Sequence, residues 1–323
     1  MASEQASELM GCAELVGVGR AARELRAQIA AAAQAPSTVL ISGETGTGKG
    51  VVARAIHARS LRSGSPFVHL DCASVSEGTF ESELFGHERG AFTDARDRRI
   101  GRLEDAGSGT LFLDEIGELG ARLQAKLLRT LQERAFERVG GNATLELRAR
   151  VLAATNRDLA AAVRRGAFRA DLYYRLDVLR IHVPPLRERM EDLPLLVKEG
   201  IARASRALGR PAPHLSEGFL ARLRQHSWPG NVRELFNVLE RCAARVHAPE
   251  LAESHLEGAL HCGAGAESPA AEPAGPPDLE RIVGALRDTG GNVSRAARRL
   301  GVSRSTLRYR IDRHGLQAWL PRD

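Results

Sequence analysis

Apolar residues recur along the first half of the chain in short runs that are separated by stretches with helical spacing. The runs at residues 38–42, 66–70, 110–114, 150–155 and 179–183 have the length and composition of buried strands. Because strands that alternate with helices favour a parallel sheet, the pattern predicts an α/β domain with a parallel sheet covered by helices. Ligands of such sheets bind at the carboxyl ends of the strands.

The pattern changes twice further along. After Pro184 and Pro185 it is helical only, with segments near residues 190–208, 216–226 and 231–246, which predicts a small helical lid subdomain. Residues 263–277 then contain four Pro, three Gly and five Ala and no periodic apolar face, so we predict a linker.

Three helical stretches follow the linker, at residues 279–289, 293–300 and 303–314. Gly301 lies between the last two, and Ser303 can cap the final helix, which is typical of an all-α helix-turn-helix domain. The predicted domains are a short leader at 1–14, an α/β subdomain at 15–184, a lid at 185–262, the linker at 263–277 and the helix-turn-helix domain at 278–323.

Charge supports a role for this last domain in binding DNA. The chain carries a formal net charge of +6, and residues 278–323 contain ten Arg against five Asp and Glu. Small apolar side chains would pack the helices together: Ala296, Ala297, Leu300, Val302 and Leu307. The exposed side chains of the final helix would face a major groove of double-stranded DNA: Ser303, Arg304, Ser305, Thr306, Arg308 and Arg310. A small basic bundle that binds protein is the alternative.

The remaining composition is ordinary for a cytoplasmic protein, with 43% hydrophobic and 27% charged residues. No apolar run approaches the roughly 20 residues of a membrane span, and the first residues do not resemble a signal peptide. We therefore expect no membrane partner. Four scattered cysteines favour reduced thiols over a metal site: Cys12, Cys72, Cys242 and Cys262.

A glycine-rich loop follows the strand at 38–42 and precedes a helix-compatible run at 51–59. Glycines let backbone N–H groups turn onto phosphate oxygens, and Lys49 can reach the β and γ phosphates. Gly50 stands where a Ser or Thr hydroxyl usually touches Mg²⁺, so the metal must be held mostly from elsewhere. The predicted loop residues are Gly43, Glu44, Thr45, Gly46, Thr47, Gly48, Lys49 and Gly50.

Two further strands end in groups that suit phosphate hydrolysis. Asp114 can hold Mg²⁺, directly or through water, and Glu115 can orient the attacking water. Asn156, after the strand at 150–155, could position the same water, although a plain strand-end turn is the alternative.

The order of these motifs resembles an AAA+ ATPase, and more narrowly the sigma-54-dependent transcriptional activators, the NtrC-like bacterial enhancer-binding proteins. The narrower resemblance rests on ELFGHERGAFTDA at 83–95, which is similar to the GAFTGA loop of that family, and on FERVGG at 136–141, PPLRER at 184–189 and WPGNVREL at 228–235. It covers roughly residues 15–260, and the last domain resembles the Fis-type helix-turn-helix of the same family.

The resemblance implies roles for individual residues. Asn156 matches the first sensor, and Arg233 matches the second sensor, which contacts nucleotide from the lid. Arg169 and Arg175, in FRADLYYRL at 168–176, match arginine fingers that act across a subunit boundary, although ordinary salt bridging is the alternative. The implied sigma-54 contact residues are Gly90, Ala91, Phe92, Thr93, Asp94 and Ala95.

Three positions depart from the family pattern. Asp94 replaces the Gly of the GAFTGA motif, Asp71 replaces an Asn that restrains the catalytic Glu in several relatives, and Gly50 replaces a Glu. Phe92 and Thr93, the implied contact residues, are kept. An apolar Phe92 on an exposed tip suggests a partner that covers it, while a Phe folded into its own core is the alternative.

We therefore expect an enzyme, an ATPase that uses ATP and Mg²⁺, assembles as a hexameric ring with dimeric DNA-binding units, binds upstream DNA and remodels closed complexes of sigma-54 with RNA polymerase. Two alternatives stay open: a nucleotide-gated DNA-binding regulator not coupled to sigma-54, and an AAA+ protein remodeler. About fourteen residues precede the ATPase module, too few for a regulatory domain. Control by a separate inhibitory protein is accordingly expected.

Overall fold

The computed structural model describes residues 15–73, 77–92, 97–246, 248–256, 259–260, 279–290 and 292–300, together with Leu307, Ile311 and Leu316. The chain divides into two compact units, Met1–Leu260 and His261–Asp323. Several predictions fall outside the described residues: the leader, the linker, the loop residues Thr93, Asp94 and Ala95, the turn at Gly301 and Val302, the DNA-facing residues Ser303, Arg304, Ser305, Thr306, Arg308 and Arg310, and the thiols of Cys12 and Cys262.

The first unit begins with a twisted α/β layer structure. Its strands are β1 Val39–Ser42, β2 Phe67–Asp71, β3 Thr110–Asp114, β4 Ala135–Glu137, β5 Thr144–Glu146, β6 Arg150–Thr155 and β7 Leu179–His182. Its helices are α1 Arg20–Gln34, α2 Lys49–Ala58, α3 Glu77–Phe85, α4 Arg102–Asp105, α5 Ala121–Glu133, α6 Leu159–Arg164 and α7 Ala170–Leu176.

Five of these strands form one parallel sheet in the order β2-β3-β6-β1-β7. All five were predicted from the apolar runs, with bounds that differ by at most one residue, and the predicted sheet covered by helices is confirmed. Because the strands are parallel, their carboxyl ends share one edge. Ser42, Asp71, Asp114, Thr155 and His182 therefore lie along that edge.

Each face of the sheet is buried by helices. Strand side chains alternate, so Leu40, Leu111 and Leu113 enter one core while Val39 and Ile41 enter the other. Helix α5 shows why these segments pack: its buried leucines, Leu123, Leu127, Leu128 and Leu131, recur at helical spacing and form one apolar stripe.

The hairpin of β4 and β5 was not predicted from the sequence. The two strands pair in antiparallel fashion over three residues, with Phe136 opposite Leu145. Three-residue strands carry too short an alternation to stand out, and their pairing is stabilised by packing of Phe136 into the core.

A helical lid completes the first unit. It contains α8 Leu193–Ala207, α9 Glu217–Arg224 and α10 Asn231–Arg245, with 3-10 turns at Leu186–Glu188, Met190–Asp192 and Glu253–Leu256. Ser216 caps α9 by accepting a hydrogen bond from Phe219 N at 3.2 Å. The lid has its own apolar core, which includes the fully buried Trp228.

The helical-only prediction beyond Pro185 was wrong at two short segments. Strands β8 His214–Leu215 and β9 Glu250–Leu251 pair in parallel across the lid. The pairing is extended by His214 N donating to Pro249 O at 2.8 Å and by Ser216 N donating to Leu251 O at 3.0 Å. A ladder of two residues forms because folding brings the two segments together. It is too short to produce a recognisable alternation in the sequence.

The second unit contains α11 Leu279–Asp288 and α12 Val293–Leu300. Ile282, Leu286, Ala296 and Ala297 pack into a core that also buries Leu307, Ile311 and Leu316. Asn292 caps α12, because its side-chain oxygen accepts from Arg295 N at 3.1 Å. Among the described residues of either unit, every helix is too short or too polar to cross a membrane.

Candidate ATP-binding and hydrolysis site

The glycine-rich loop leaves β1 at the shared edge and enters α2 at Lys49. Gly43 N donates to Thr155 O at 3.2 Å, which ties the start of the loop to β6. Gly46 and Gly48 have φ of 79° and 102°, in the left-handed region that favours glycine. A Cβ on Gly46 would also lie 2.3 Å from Gly230 O in the lid, so a side chain there would force the lid away.

Lys49 is buried, with 6% of its surface exposed. Its ammonium donates to Gly43 O at 3.1 Å and lies 3.0 Å from Glu115 Oε1. The predicted phosphate lysine and the predicted water-orienting carboxylate are thus brought together by the fold. The ion pair satisfies the buried ammonium, which would otherwise carry a large desolvation cost.

Glu115 follows β3 in a left-handed conformation, with φ of 52°. Its second oxygen, Oε2, accepts from Asn156 N at 2.9 Å, and Asn156 Nδ2 donates to Thr45 Oγ1 at 2.9 Å. The ends of β3 and β6 and the glycine loop therefore form one hydrogen-bonded group. This arrangement holds the Glu115 carboxylate at the mouth of the loop.

Asp114 lies beside this group at the end of β3. Its Oδ1 accepts from Glu115 N at 3.0 Å, and its Oδ2 lies 3.7 Å from His69 Nε2. Burial opposes ionisation, but His69 and the Lys49 charge outweigh it, so the pKa of Asp114 is below its usual range. The carboxylate is ionised at neutral pH, as a metal-holding residue must be.

Asp71 is paired in register with Asp114 on the neighbouring strand. Its Oδ1 accepts from Ala73 N at 2.9 Å and so turns the chain after β2. The thiol of Cys72, the residue after Asp71, is buried. Burial, together with the nearby carboxylates, raises the pKa of this thiol well above the usual range. Cys72 is therefore an inert core residue, as is the buried Cys242.

The described residues fit an Mg²⁺ ion that is held together with nucleotide phosphates. They contain no cluster of three or more His, Cys, Asp or Glu in metal-binding geometry. Mg²⁺ in nucleotide sites usually keeps several waters and takes one or two carboxylates plus phosphate oxygens. Asp114 supplies such a carboxylate. A Cβ on Gly50 would make only ordinary contacts, with Arg54 and Phe112 at 3.7 and 3.8 Å. The structure therefore has room for a larger side chain at this position.

The lid reaches the loop through residues that the motif analysis did not single out. Glu44 accepts from Arg187 Nη1 and Nη2 at 2.9 and 2.6 Å and from Asn231 Nδ2 at 3.1 Å. These hydrogen bonds, that of Arg187 first, lower the pKa of Glu44 to about 2. Arg187 and Asn231 lie in the PPLRER and WPGNVREL motifs, so the signal was present, but spacing alone does not show which loop atoms they meet.

Arg233, the predicted second sensor, lies beside the glycine loop. Its backbone N donates to Gly46 O at 3.2 Å, and its Cβ would be 3.0 Å from a Cβ on Gly46. The side chain is exposed beside the loop.

The two predicted finger arginines are exposed at the two ends of α7. Arg169 Nε and Nη2 donate to Asp171 at 3.0 and 2.8 Å, and Arg175 Nη2 donates to Leu131 O at 2.9 Å. Neither set of contacts involves the glycine loop of the same chain. A role in hydrolysis would therefore require the site of another subunit.

The described part of the predicted sigma-54 loop ends at Phe92. Gly90 and Ala91 lead into it, and the Phe92 ring is 45% exposed with an edge-on contact to His87 at 4.9 Å. The alternative of a Phe92 folded into the core does not hold. A Cβ on Gly140 would lie 2.7 Å from Ala91 Cβ, so the FERVGG segment packs against the loop.

The base of this loop is clamped by a buried arginine. Arg138 donates to Glu88 Oε1 at 2.8 Å and to both oxygens of Glu104 at 2.7 to 3.1 Å. The described part of the loop is thereby anchored at Glu88, while its last described residue, Phe92, is exposed.

Comparison with known proteins places this geometry in a family. The Sigma-54 interaction domain matches residues 15–182, the AAA+ ATPase lid domain matches 187–273, and the Fis family of bacterial regulatory proteins matches 278–314. The fold and the site define an AAA+ ATPase with its lid and a helix-turn-helix DNA-binding domain. The chain belongs to the sigma-54-dependent transcriptional activators.

Individual relatives are similar over most of the chain. The transcriptional regulatory protein ZraR of Klebsiella oxytoca is 45% identical over 303 residues, which cover 93% of this chain and 68% of ZraR. The Nif-specific regulatory protein of Azotobacter vinelandii is 46% identical over 306 residues, covering 92% of this chain and 58% of that protein.

A solved structure shows the same likeness. NtrX from Brucella abortus in complex with ADP aligns with a TM-score of 0.73 at 34% identity, covering 96% of this chain and 72% of NtrX. The NtrX complex with ATP aligns with a TM-score of 0.71 at 35% identity, covering 93% of this chain and 68% of NtrX.

Proposed function

We propose that Glu115 is the residue that orients the attacking water in ATP hydrolysis. This proposal rests on the position of the Glu115 carboxylate at the mouth of the glycine loop. Lys49 Nζ holds one of its oxygens, and Asn156 N donates to the other. When ATP occupies the loop, its β and γ phosphates compete for Lys49, and the released Glu115 oxygen can accept a hydrogen bond from water. Asn156, close to the same position, acts as the first sensor.

Other residues at the same edge of the sheet, and in the lid beside it, supply the remaining roles in the proposed reaction. Lys49 and the loop N–H groups bind the phosphates, Arg233 contacts the nucleotide from the lid, and Asp114 holds Mg²⁺ directly or through water. Mg²⁺ supplies charge neutralisation on the phosphate oxygens. That NtrX is known in complexes with ADP and with ATP supports nucleotide binding at the corresponding fold.

We further propose that hydrolysis is completed in a hexameric ring, with Arg169 and Arg175 of one subunit acting at the site of the next. The exposure of both side chains supports this role. For Arg169, the ion pair with Asp171 supports it as well, because an exposed ion pair contributes little to stability and is readily exchanged. The units of such a ring bind DNA as dimers through the Fis-type domain. A separate inhibitory protein stays a prediction.

The loop at Gly90, Ala91, Phe92, Thr93, Asp94 and Ala95 is the proposed contact with sigma-54. The exposed Phe92 supports it, because a large exposed apolar side chain gains free energy when a partner covers it. ATP-driven movement of the ring would then be transmitted to the closed complex of sigma-54 and RNA polymerase.

An in vitro transcription assay with purified sigma-54 polymerase tests the proposal. The intact chain with ATP should open a sigma-54 promoter that carries its binding site, whereas Glu115→Gln should bind ATP and fail to open it. Glu133→Gln, which changes an exposed carboxylate on α5, serves as the matched control. Promoter opening by Glu115→Gln at the rate of the intact chain would contradict the assignment.

A further inference from the structure

The carbonyl groups of the first five residues of the glycine loop, Gly43 to Thr47, all accept hydrogen bonds. Gly43 O and Glu44 O accept from Lys49 Nζ, and Glu44 O also accepts from Thr47 Oγ1. The next three carbonyls, of Thr45, Gly46 and Thr47, accept from the lid.

Each of the three lid donors comes from a different group. Asn231 Nδ2 donates to Thr45 O at 3.1 Å, Arg233 N donates to Gly46 O at 3.2 Å, and Arg189 Nη2 donates to Thr47 O at 2.8 Å. In a planar trans peptide unit the C=O and N–H groups point in opposite directions, so a hydrogen bond to the carbonyl also fixes the direction of the following N–H. The lid donors thus fix the orientation of three successive peptide units of the loop, those that begin at Thr45, Gly46 and Thr47.

Asn231 is the centre of this arrangement. It is fully buried, with 0% of its surface exposed, and has φ of 53°, a conformation that Asn tolerates better than most residues. Its Oδ1 accepts from Leu186 N at 2.8 Å while its Nδ2 donates to Glu44 Oε2 and Thr45 O. The partners are one donor and two acceptors, so the orientation of the amide is unambiguous.

Arg189 is also buried and therefore cannot exchange its loop contact for water at low cost. Its Nη2 meets Thr47 O, and 4% of its surface is exposed. The absence of a side chain on Gly46 allows the close approach of Gly230 that brings these donors into reach.

We propose that Asn231 and Arg189 are positioning residues of the phosphate site: the docked lid sets the shape of the glycine loop, and ATP affinity depends on that docking. The proposal rests on the nucleotide site described above. Undocking of the lid would leave three loop carbonyls without donors and free the orientation of their peptide units. By linkage, ATP binding and lid docking then strengthen each other by the same factor.

The test compares ATP binding in isosteric and matched variants of the whole chain. Asn231→Asp keeps the shape and the bond from Leu186 N but places a carboxylate oxygen against Thr45 O and Glu44. Loss of the donor and of its hydrogen bonds should raise the Kd for a fluorescent ATP analogue about fivefold to a hundredfold. The KM for ATP should rise to a similar extent, while kcat at saturating ATP stays within about twofold.

Val238→Ala is the matched control, because Val238 is buried in the lid core on the same helix and touches no loop atom in the contacts above. It lowers lid stability without removing a donor, so its Kd should stay within about twofold of the intact chain. An equal loss of affinity in Val238→Ala and Asn231→Asp, or no loss in Asn231→Asp, would overturn the proposal.

Arg189→Met provides an independent arm if Asn231→Asp fails to fold, as judged by circular dichroism. It removes the donor to Thr47 O with a side chain of similar length and should weaken ATP binding in the same way; unchanged affinity would count against the inference. Lys49→Ala is measured alongside. If Lys49→Ala keeps full affinity, the nucleotide site itself is wrong, whereas loss in Lys49→Ala with none in the lid variants removes this inference alone.

Discussion

Lys49 Nζ lies 3.0 Å from Glu115 Oε1, so the proposed phosphate-binding residue also holds the residue proposed to orient water. Both side chains are largely buried, and the second Glu115 oxygen is occupied by Asn156 N. Under the proposed function, phosphates that reach Lys49 would therefore also change the hydrogen bonding of Glu115.

This relationship predicts different defects for the two residues. Lys49→Ala should abolish measurable ATP binding, because the phosphates lose their buried cation. Glu115→Gln should keep ATP affinity within a few fold but lower turnover by several orders of magnitude, because only the water-orienting carboxylate is lost. Equilibrium binding and single-turnover hydrolysis separate the two. Equal loss of affinity in both variants would remove the assigned role of Glu115.

Mixing experiments test the arginine fingers. Arg169→Ala and Arg175→Ala should each reduce ATP turnover by about 10³ to 10⁵, the usual contribution of a finger, while the chain stays folded because both side chains are exposed. Mixed with Lys49→Ala subunits, they should regain turnover, since some sites then combine an intact loop with an intact finger. Activities that simply add in the mixture would indicate that no site is shared.

Substitutions in the predicted sigma-54 loop should separate ATP hydrolysis from promoter opening. Phe92→Ala and Thr93→Ala should leave ATPase activity largely intact and prevent promoter opening, because the loop base is held by hydrogen bonds of Arg138 to Glu88 and Glu104, a set of contacts that does not include Lys49 or Glu115. ATPase and transcription assays on the same samples are the measurement. Asp94→Gly, which restores the family residue, should not reduce activation; a reduction would show that Asp94 is itself a contact.

The Glu44 carboxylate gives a prediction about pH. Hydrogen bonds from Arg187 and Asn231 lower the pKa of Glu44 to about 2 from its ordinary 4.5. A lowered pKa stabilises the folded state above the unfolded value, and the stabilisation is lost as pH falls from about 4.5 towards 2. Glu44 should therefore add no pH dependence between pH 6 and 9.

Carboxyl NMR titration of Glu44 checks this, with Arg187→Gln as the comparison that should raise its pKa. The pair is partly exposed, so a double-mutant cycle of Glu44→Gln and Arg187→Gln should give a coupling below about 1 kcal/mol. An ordinary pKa for Glu44 in the intact chain would show that the lid contact does not form in solution.

The DNA-binding domain is tested by footprinting. Deletion of residues 278–323 should abolish the specific footprint, which should show two half-sites about 34 Å apart. If Arg304 or Arg308 reads a base, its replacement by Ala should relax the preference at one position by about 1 to 3 kcal/mol; loss of a phosphate contact should weaken all sequences and flatten the salt dependence. A specific footprint from the deleted chain would contradict the assignment.

The sequence alone determined the parallel sheet, because each strand is a compact apolar run with a periodicity that does not depend on its neighbours. It also predicted a phosphate site from the loop from Gly43 to Gly50 and the carboxylates Asp114 and Glu115, because phosphate chemistry requires those residue types at strand ends. Resemblance of motifs was sufficient to identify the family, because the chain contains many short motifs of that family in the same order.

Only the tertiary structure decided how the lid meets the loop. Asn231 lies more than 180 residues from Thr45 in sequence, and nothing in its local pattern indicates that its amide bridges Leu186, Glu44 and Thr45. The short strands β8 and β9 and the clamp at Arg138 were missed for the same physical reason. Hydrogen bonds between segments that are distant in sequence depend on how the chain folds. The spacing of apolar residues along the sequence indicates only which face of a single helix or strand is buried.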